Sequence, residues 1–336
     1  MPDKYYFMIF TTTIKQVALL FVYITAGIIL VKTKLLNKNA SKTLSALLTF
    51  FIGPLYTIHN LSQNIKIEEL KLYGNLLLYG TIFVVLLVAF SYPLSRLFSK
   101  DPIEKGIYSY LFAFSNYGYF GYPLVEGVFG AKVLAEFMIF CLPISIVVSS
   151  YGYYMLTSGA RTQNKIDAID GRKIHWKKYV SALYNPPMIG TYIGLLLAFL
   201  PITVPNLVYE FLAPAVKCYS AIPMLIAGIV LGGCKFKSLF NSWKAYVTGF
   251  ISLVIKPLLF GALAYLLYRF LSMPREAFIG IFVFCSIPCG MNVIVYPESV
   301  GLDSSMGAKS CFLSYIMAIV TIPIAFTILE ALVGAI

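Results

Sequence analysis

Tyr108–Gly130 reads YSYLFAFSNYGYFGYPLVEGVFG. The stretch is apolar enough to enter a membrane, yet it cannot continue as one helix. Gly118 and Gly121 weaken a helix interior, and Pro123 removes a backbone donor and pushes the residue before it away from helical geometry. In hydrocarbon, such a break leaves N–H and C=O groups unpaired. It is tolerated only where protein buries it or where it lines a water-filled cavity. A second stretch of this kind is Cys285–Gly301, CSIPCGMNVIVYPESVG, and one constant offset superposes Ser115 on Ser286 and Gly130 on Gly301. Paired interrupted segments in the two halves of a chain point to the binding site of a secondary transporter built from repeats.

The rest of the composition fits a membrane setting. The 336 residues are 59% hydrophobic and 12% charged, about half the charged fraction of a soluble domain. Mean hydropathy is +0.82. Stretches of about 20 apolar residues predict ten spans: 8–31, 42–62, 73–98, 105–125 (broken), 133–156, 179–200, 207–232, 244–268, 276–296 (broken) and 305–334. The first run reads as a retained span rather than a cleaved signal. Five spans precede the polar segment 157–178 and five follow it, so the second half enters the membrane inverted. The expected division is a first repeat at 1–156, a loop at 157–178 and a second repeat at 179–336.

Basic residues gather in alternate loops: Lys32, Lys34, Lys38 and Lys42; Arg96, Lys100 and Lys105; Arg161, Lys165, Arg172, Lys173, Lys177 and Lys178; Lys235, Lys237 and Lys244. The excess of Lys and Arg on the cytoplasmic side predicts both termini outside and the central loop in the cytoplasm of a plasma-membrane protein. The net charge of +12 is scattered among spans rather than gathered on a polar face, which argues against nucleic-acid binding. No Gly-x-Ser-x-Gly or His-Glu-x-x-His occurs and no carboxylate pair sits within the predicted spans, so no catalytic residue, cofactor or metal site is expected. The six cysteines, none in a Cys-x2-Cys, read as small packing residues.

Asn116-Tyr-Gly-Tyr-Phe-Gly121-Tyr-Pro123-Leu124 resembles the Asn-x4-Gly-x-Pro-Leu pattern of the auxin efflux carrier family, which includes the plant PIN-formed proteins. Pro288-Cys-Gly-Met-Asn292 resembles the Pro-x3-Asn form of bacterial members. Phe51-Ile-Gly-Pro54-Leu, Asn185-Pro186, the Gly228/Gly232 region and Lys256-Pro257 also match, so the resemblance covers essentially the whole chain. It implies two inverted repeats of five helices, with helices 4 and 9 unwinding and crossing near the membrane midplane. The first two helices of each repeat would form a scaffold and the other three a transport unit. It also implies small organic anions as substrates: indole carboxylates in plants, dicarboxylates in bacterial relatives. Val293 stands where plant members carry a proline.

The candidate substrate-binding residues are therefore Asn116, Gly121 and Pro123 at the first break and Pro288 and Asn292 at the second, with Ser115 and Ser286 beside them. Half-helix N-termini suit a carboxylate, and an asparagine amide both donates and accepts; Asn116 could equally serve as a helix cap. Lys256, inside the eighth span, is a functional candidate because an ionisable residue there is costly; its alternative is snorkelling to an interface. Lys217 is a weaker candidate of the same type. Glu136 reads as the one carboxylate well inside a span besides Glu330. His59 and Asn60 read as a solvated helix end, and Tyr117 and Tyr119 as lesser lining residues. The function expected is a carrier for a small organic anion, a carboxylate, with a channel-like uniporter or a substrate sensor as alternatives. The partners expected are that anion and the lipid bilayer, with a homodimer left open.

Overall fold

A computed structural model describes residues 2–37, 39–157, 184, 186–200, 205–233, 240–299 and 305–334. The central segment read as a loop thus lies outside the described residues apart from Thr157. The described chain is helical. We number the helices α1 (Pro2–Lys32), α2 (Ala40–Asn64), α3 (Leu70–Phe98), α4 (Pro102–Ala113), α5 (Tyr122–Phe129), α6 (Ala131–Thr157), α7 (Pro186–Phe199), α8 (Asn206–Gly232), α9 (Trp243–Phe270), α10 (Arg275–Ser286), α11 (Asn292–Ser299) and α12 (Ser305–Val333). Among the described residues, seven of these helices are long and apolar enough to cross a membrane: α1, α2, α3, α6, α8, α9 and α12. The predicted fourth and ninth spans each appear as two short helices, α4 with α5 and α10 with α11.

Wide π turns interrupt the long helices at Leu48–Ile52 in α2, Val148–Gly152 in α6 and Ile251–Ile255 in α9. A fourth, Tyr117–Gly121, leads into α5. Pro54, Pro123 and Pro257 follow three of them within two residues. A proline has no N–H to give and its ring pushes against the carbonyl four residues back, and the backbone absorbs this by widening the preceding turn.

The helices fall into two groups. In one, α1 packs on α8, and α2 packs on both α7 and α8. The α1–α8 contact is backbone to backbone: a Cβ on Gly228 would lie 2.0 Å from Ile24 O, and one on Gly27 would lie 2.4 Å from Leu225 O. Small residues are what permit such an approach where no hydrophobic effect drives helices together. In the other group, α3, α4, α6, α9, α10 and α12 pack together. The interrupted helices form its centre: every residue from Ile107 to Asn116 and from Ala277 to Met291 is buried. The outer faces stay apolar, with Val85 and Leu258 each 62% exposed. That pattern suits a surface solvated by lipid.

Candidate functional site

Each break is built by its own sequence, and the two complete one another. Asp101 caps α4, its carboxylate accepting from the N–H groups of Ile103 and Glu104. The chain turns extended at Phe114 and resumes in the π turn after Asn116. The second stretch turns extended at Ile287 and becomes helical again at Asn292. Ser115 and Cys289 pair as an isolated antiparallel bridge. The Asn116 N–H donates to Pro288 O at 2.7 Å, and the Gly290 N–H donates to Phe114 O at 3.1 Å. Backbone groups that hydrocarbon could not satisfy are satisfied by the opposite break.

The Asn116 side chain is occupied on both sides. Its Oδ1 accepts from the Tyr119 N–H at 3.3 Å, capping the turn that follows, and its Nδ2 donates to the Tyr315 hydroxyl of α12. Cys289 is held against α12 as well, its N–H donating to Ser314 Oγ at 3.4 Å.

Lys256 follows the π turn of α9 and is fully buried. Its Nζ donates to Ser115 Oγ at 2.8 Å and sits 5.9 Å from the centre of the Phe284 ring. One turn earlier, Ser252 donates to Leu111 O at 3.2 Å. One face of α9 therefore grips the end of α4, where helix carbonyls bring partial negative charge. No carboxylate pairs with Lys256 among the described residues.

A cavity of 450 Å³ lies between the two helix groups, against both breaks. Ser115, Asn116 and Asn292 line it, together with Tyr110, Tyr117, Tyr119, Tyr122, Tyr219 and Tyr296. Asn292, the first residue of α11, meets the Tyr110 hydroxyl. The Tyr117 hydroxyl donates to Ser145 Oγ at 2.9 Å. Among the described residues, no charged side chain is part of the lining. The described wall is thus a set of hydroxyls, amides and rings, with the Lys256 side chain a single hydrogen bond behind it. A larger groove of 740 Å³ runs along α1 and α12, but its walls are almost wholly aliphatic and aromatic, and it offers nothing to fix a polar ligand.

The expected site residues therefore divide. Ser115, Asn116 and Asn292 meet at the cavity, with Lys256 behind Ser115. Pro288 supplies the carbonyl that Asn116 binds and lies outside the lining. Gly121 is a close-approach position, where a Cβ would lie 2.7 Å from Ile287 Cδ1, and Pro123 opens α5. Ser286 turns back to its own helix, donating to Phe282 O at 2.7 Å. Lys217 is exposed on α8. Glu136 is buried and lies 3.9 Å from the Lys132 ammonium. His59 meets the Tyr209 ring edge-on at 6.1 Å, and Asn60, buried rather than solvated, donates to Tyr56 O at 3.0 Å. Cys141, Cys285, Cys289 and Cys311 are buried and Cys218 is exposed, all unbridged; Cys234 lies outside the described residues.

Sequence reasoning missed Glu126. The fourth span was expected to end at residue 125, but α5 continues to Phe129 and turns at Gly130, whose φ of 87° suits glycine. Glu126 is thus part of the helical segment, half-buried, and accepts from the Tyr56 hydroxyl at 3.1 Å. The signal available was Gly130 itself, a natural stop one turn beyond the acid.

No curated protein matches the chain. A family model described as Membrane transport protein matches residues 12–326, from α1 into α12. Coverage of that extent assigns the chain to the family of membrane transporters known as the auxin efflux carriers.

Proposed function

We propose that the protein is a secondary carrier that moves a small organic anion, a carboxylate, across the plasma membrane by alternating access. One observation carries this reading: two interrupted helices, hydrogen-bonded to one another through their breaks, form part of the wall of a single cavity between two helix groups. In this reading α1, α2, α7 and α8 are the scaffold. The other helices form the transport unit that rocks against it, and the cavity between the groups is the substrate site. Ten spans arranged as two inverted repeats follow if α4 with α5, α10 with α11, and the segment containing α7 each cross once. Lys32, Lys34, Lys42, Arg96, Lys100 and Lys105 then face the cytoplasm.

The lining supports a narrower choice of anion. The N-terminal turns leading into α5 and α11, with Asn116 and Asn292, suit one carboxylate. Lys256 supplies charge to the same point through Ser115. A second carboxylate on the substrate would meet no further cation among the described lining residues, and burying an uncompensated charge is costly. The tyrosines suit an apolar or aromatic body with an occasional hydroxyl. A single carboxylate on such a body fits better than a dicarboxylate. Thermal-shift screening of purified protein against aromatic and aliphatic mono- and dicarboxylates, followed by uptake into proteoliposomes, tests this. Stabilisation and uptake confined to dicarboxylates would refute the choice of anion, and absence of any carboxylate uptake would refute the carrier reading.

A further inference from the structure

On one flank of the cavity stand two tyrosines, Tyr219 in the lining and Tyr56 outside it. Tyr56 of α2 and Tyr219 of α8 stack with centroids 3.9 Å apart and planes within 9°. The Tyr219 hydroxyl donates to Gly118 O at 3.5 Å, at the cavity wall. Tyr56 instead donates to Glu126 of α5 at 3.1 Å. At the next residue, Gln16 Nε2 of α1 donates to Gly127 O at 3.4 Å. The half-helix that follows the first break is thus tied at consecutive residues to α2 and α1.

These ties lie outside the cavity lining, which in α2 runs from Ser45 to Leu61. The lining runs from Met138 to Ser149 in α6 and from Tyr219 to Ile226 in α8, towards the ends of those helices at Thr157 and Gly232. Glu126 and Gly127 lie at the other end, next to the Gly130 turn. Among the described residues, the charged and titratable groups on the helices around Glu126 are otherwise engaged or turned away; on α8, Glu210 and Lys217 are exposed. Lys15 of α1 is exposed. Lys132 of α6 bonds to Glu69 at 2.9 Å and lies 3.9 Å from Glu136. His59 of α2 faces Tyr209. From α12, Phe326 meets Phe129, with Glu330 one turn further on and buried. No cation pairs with Glu126 among the described residues. Its protonation therefore decides the strength of the tie: an ionised carboxylate takes a charge-assisted hydrogen bond from the phenol, and a protonated one does not.

We propose that Glu126 is a proton-binding site that gates the cavity towards the face at Gly130. Ionised, it holds α5 to Tyr56 and keeps the tyrosine stack in place. Protonated by water from that face, it releases α5, the stack parts and the cavity opens there. The inference rests on the alternating-access reading above, but its test needs no substrate.

The test uses the full chain in sealed vesicles, with Cys218 and Cys234 replaced by serine and Gly118→Cys as reporter; a Cβ at Gly118 meets nothing within 4 Å. A membrane-impermeant maleimide is applied to the Gly130 face between pH 5 and 8. Labelling rates are normalised to those of the unfolded chain, which removes the reporter thiol's own ionisation. The normalised rate should rise about tenfold towards pH 5, the difference between a charged and a neutral hydrogen bond. Glu126→Gln should label at the pH 5 rate throughout. Tyr56→Phe removes the same bond from the other side, should do likewise, and serves if Glu126→Gln fails to fold. A pH profile in these variants matching that of the reporter chain would overturn the role of Glu126 alone. No labelling from that face in any form would overturn the alternating-access reading, and the gate with it.

Discussion

The Lys256 ammonium and the Ser115 hydroxyl lie 2.8 Å apart, one from α9 and the other from the first helix break. Ser115 also lines the cavity. A fully buried lysine is thereby connected to a polar site whose described lining holds no charged side chain. Two accounts of Lys256 follow: it serves the ligand through Ser115, or it offsets the carbonyl end of α4.

Lys256→Met separates them. Methionine keeps the length of the stem and removes the charge, and replacing a buried, unpaired charge by an apolar group of similar shape is often neutral or stabilising. The melting temperature should hold, while carboxylate affinity falls about tenfold to a hundredfold, the loss of one charge-assisted interaction. A lowered melting temperature with unchanged affinity would leave Lys256 with the helix end. Lys256→Arg should restore affinity only in part, since a planar fork does not fit a point contact on one hydroxyl.

Asn116 and Asn292 should act on one ligand. Either alanine variant should weaken binding about tenfold to a hundredfold, and the double variant should depart from additivity. Titration of ligand into the two single variants and the pair measures both effects. Unchanged affinity in both singles would remove the asparagines from the site.

Tyr315→Phe provides the control for the cap. It removes the partner of Asn116 Nδ2 and leaves the cavity lining intact. Stability should fall by about 1 kcal/mol with little change in affinity. A tenfold loss of affinity with unaltered melting would assign Tyr315 to the site itself.

Gly228→Val should prevent accumulation of folded protein. Its Cβ would enter the backbone of α1 at Ile24; overpacking costs about 1–3 kcal/mol where side chains can yield, and a backbone carbonyl cannot. Size-exclusion profiles in detergent report the outcome, and a monodisperse variant at wild-type yield would show that α1 and α8 can separate.

Orientation is open to labelling. A cysteine replacing Gln63, beside the end of α2, should react from outside the cell, and one replacing Lys165 only from the cytoplasm. The reverse pattern would invert the proposed topology.

The breaks were legible because glycine and proline punctuate an apolar run: Gly118 and Pro123 in one stretch, Pro288 and Gly290 in the other. Lys256 was legible because a charge inside a span is rare. That the two breaks cross was implied by the family resemblance, but the residue pairing was not legible, since nothing local in Ser115 or Asn116 specifies Cys289 or Pro288 across the chain. Nor was the link from Lys256 to Ser115, which depends on how α9 crosses α4. Of the tyrosine-lined wall, Tyr117 and Tyr119 were expected only as lesser lining residues and the other tyrosines not at all, for a different reason. With 25 tyrosines in the chain, those facing the cavity do not differ in pattern from those that pack. Gly121 and Pro123 shape the helix instead of lining the cavity, a distinction that residue type alone does not carry.

The mutual bonding of the breaks also bears on synthesis. In the proposed topology, when residues 102–129 leave the ribosome and enter the bilayer, the groups that satisfy Phe114 O and the Asn116 N–H belong to residues still untranslated. The first half must wait in the membrane with an unfinished backbone until Pro288 and Gly290 arrive. Cut within residues 158–178, the protein should accumulate poorly from either fragment expressed alone and recover when both are made together. The crossing is in that sense a checkpoint of assembly, closed only by the last third of the chain.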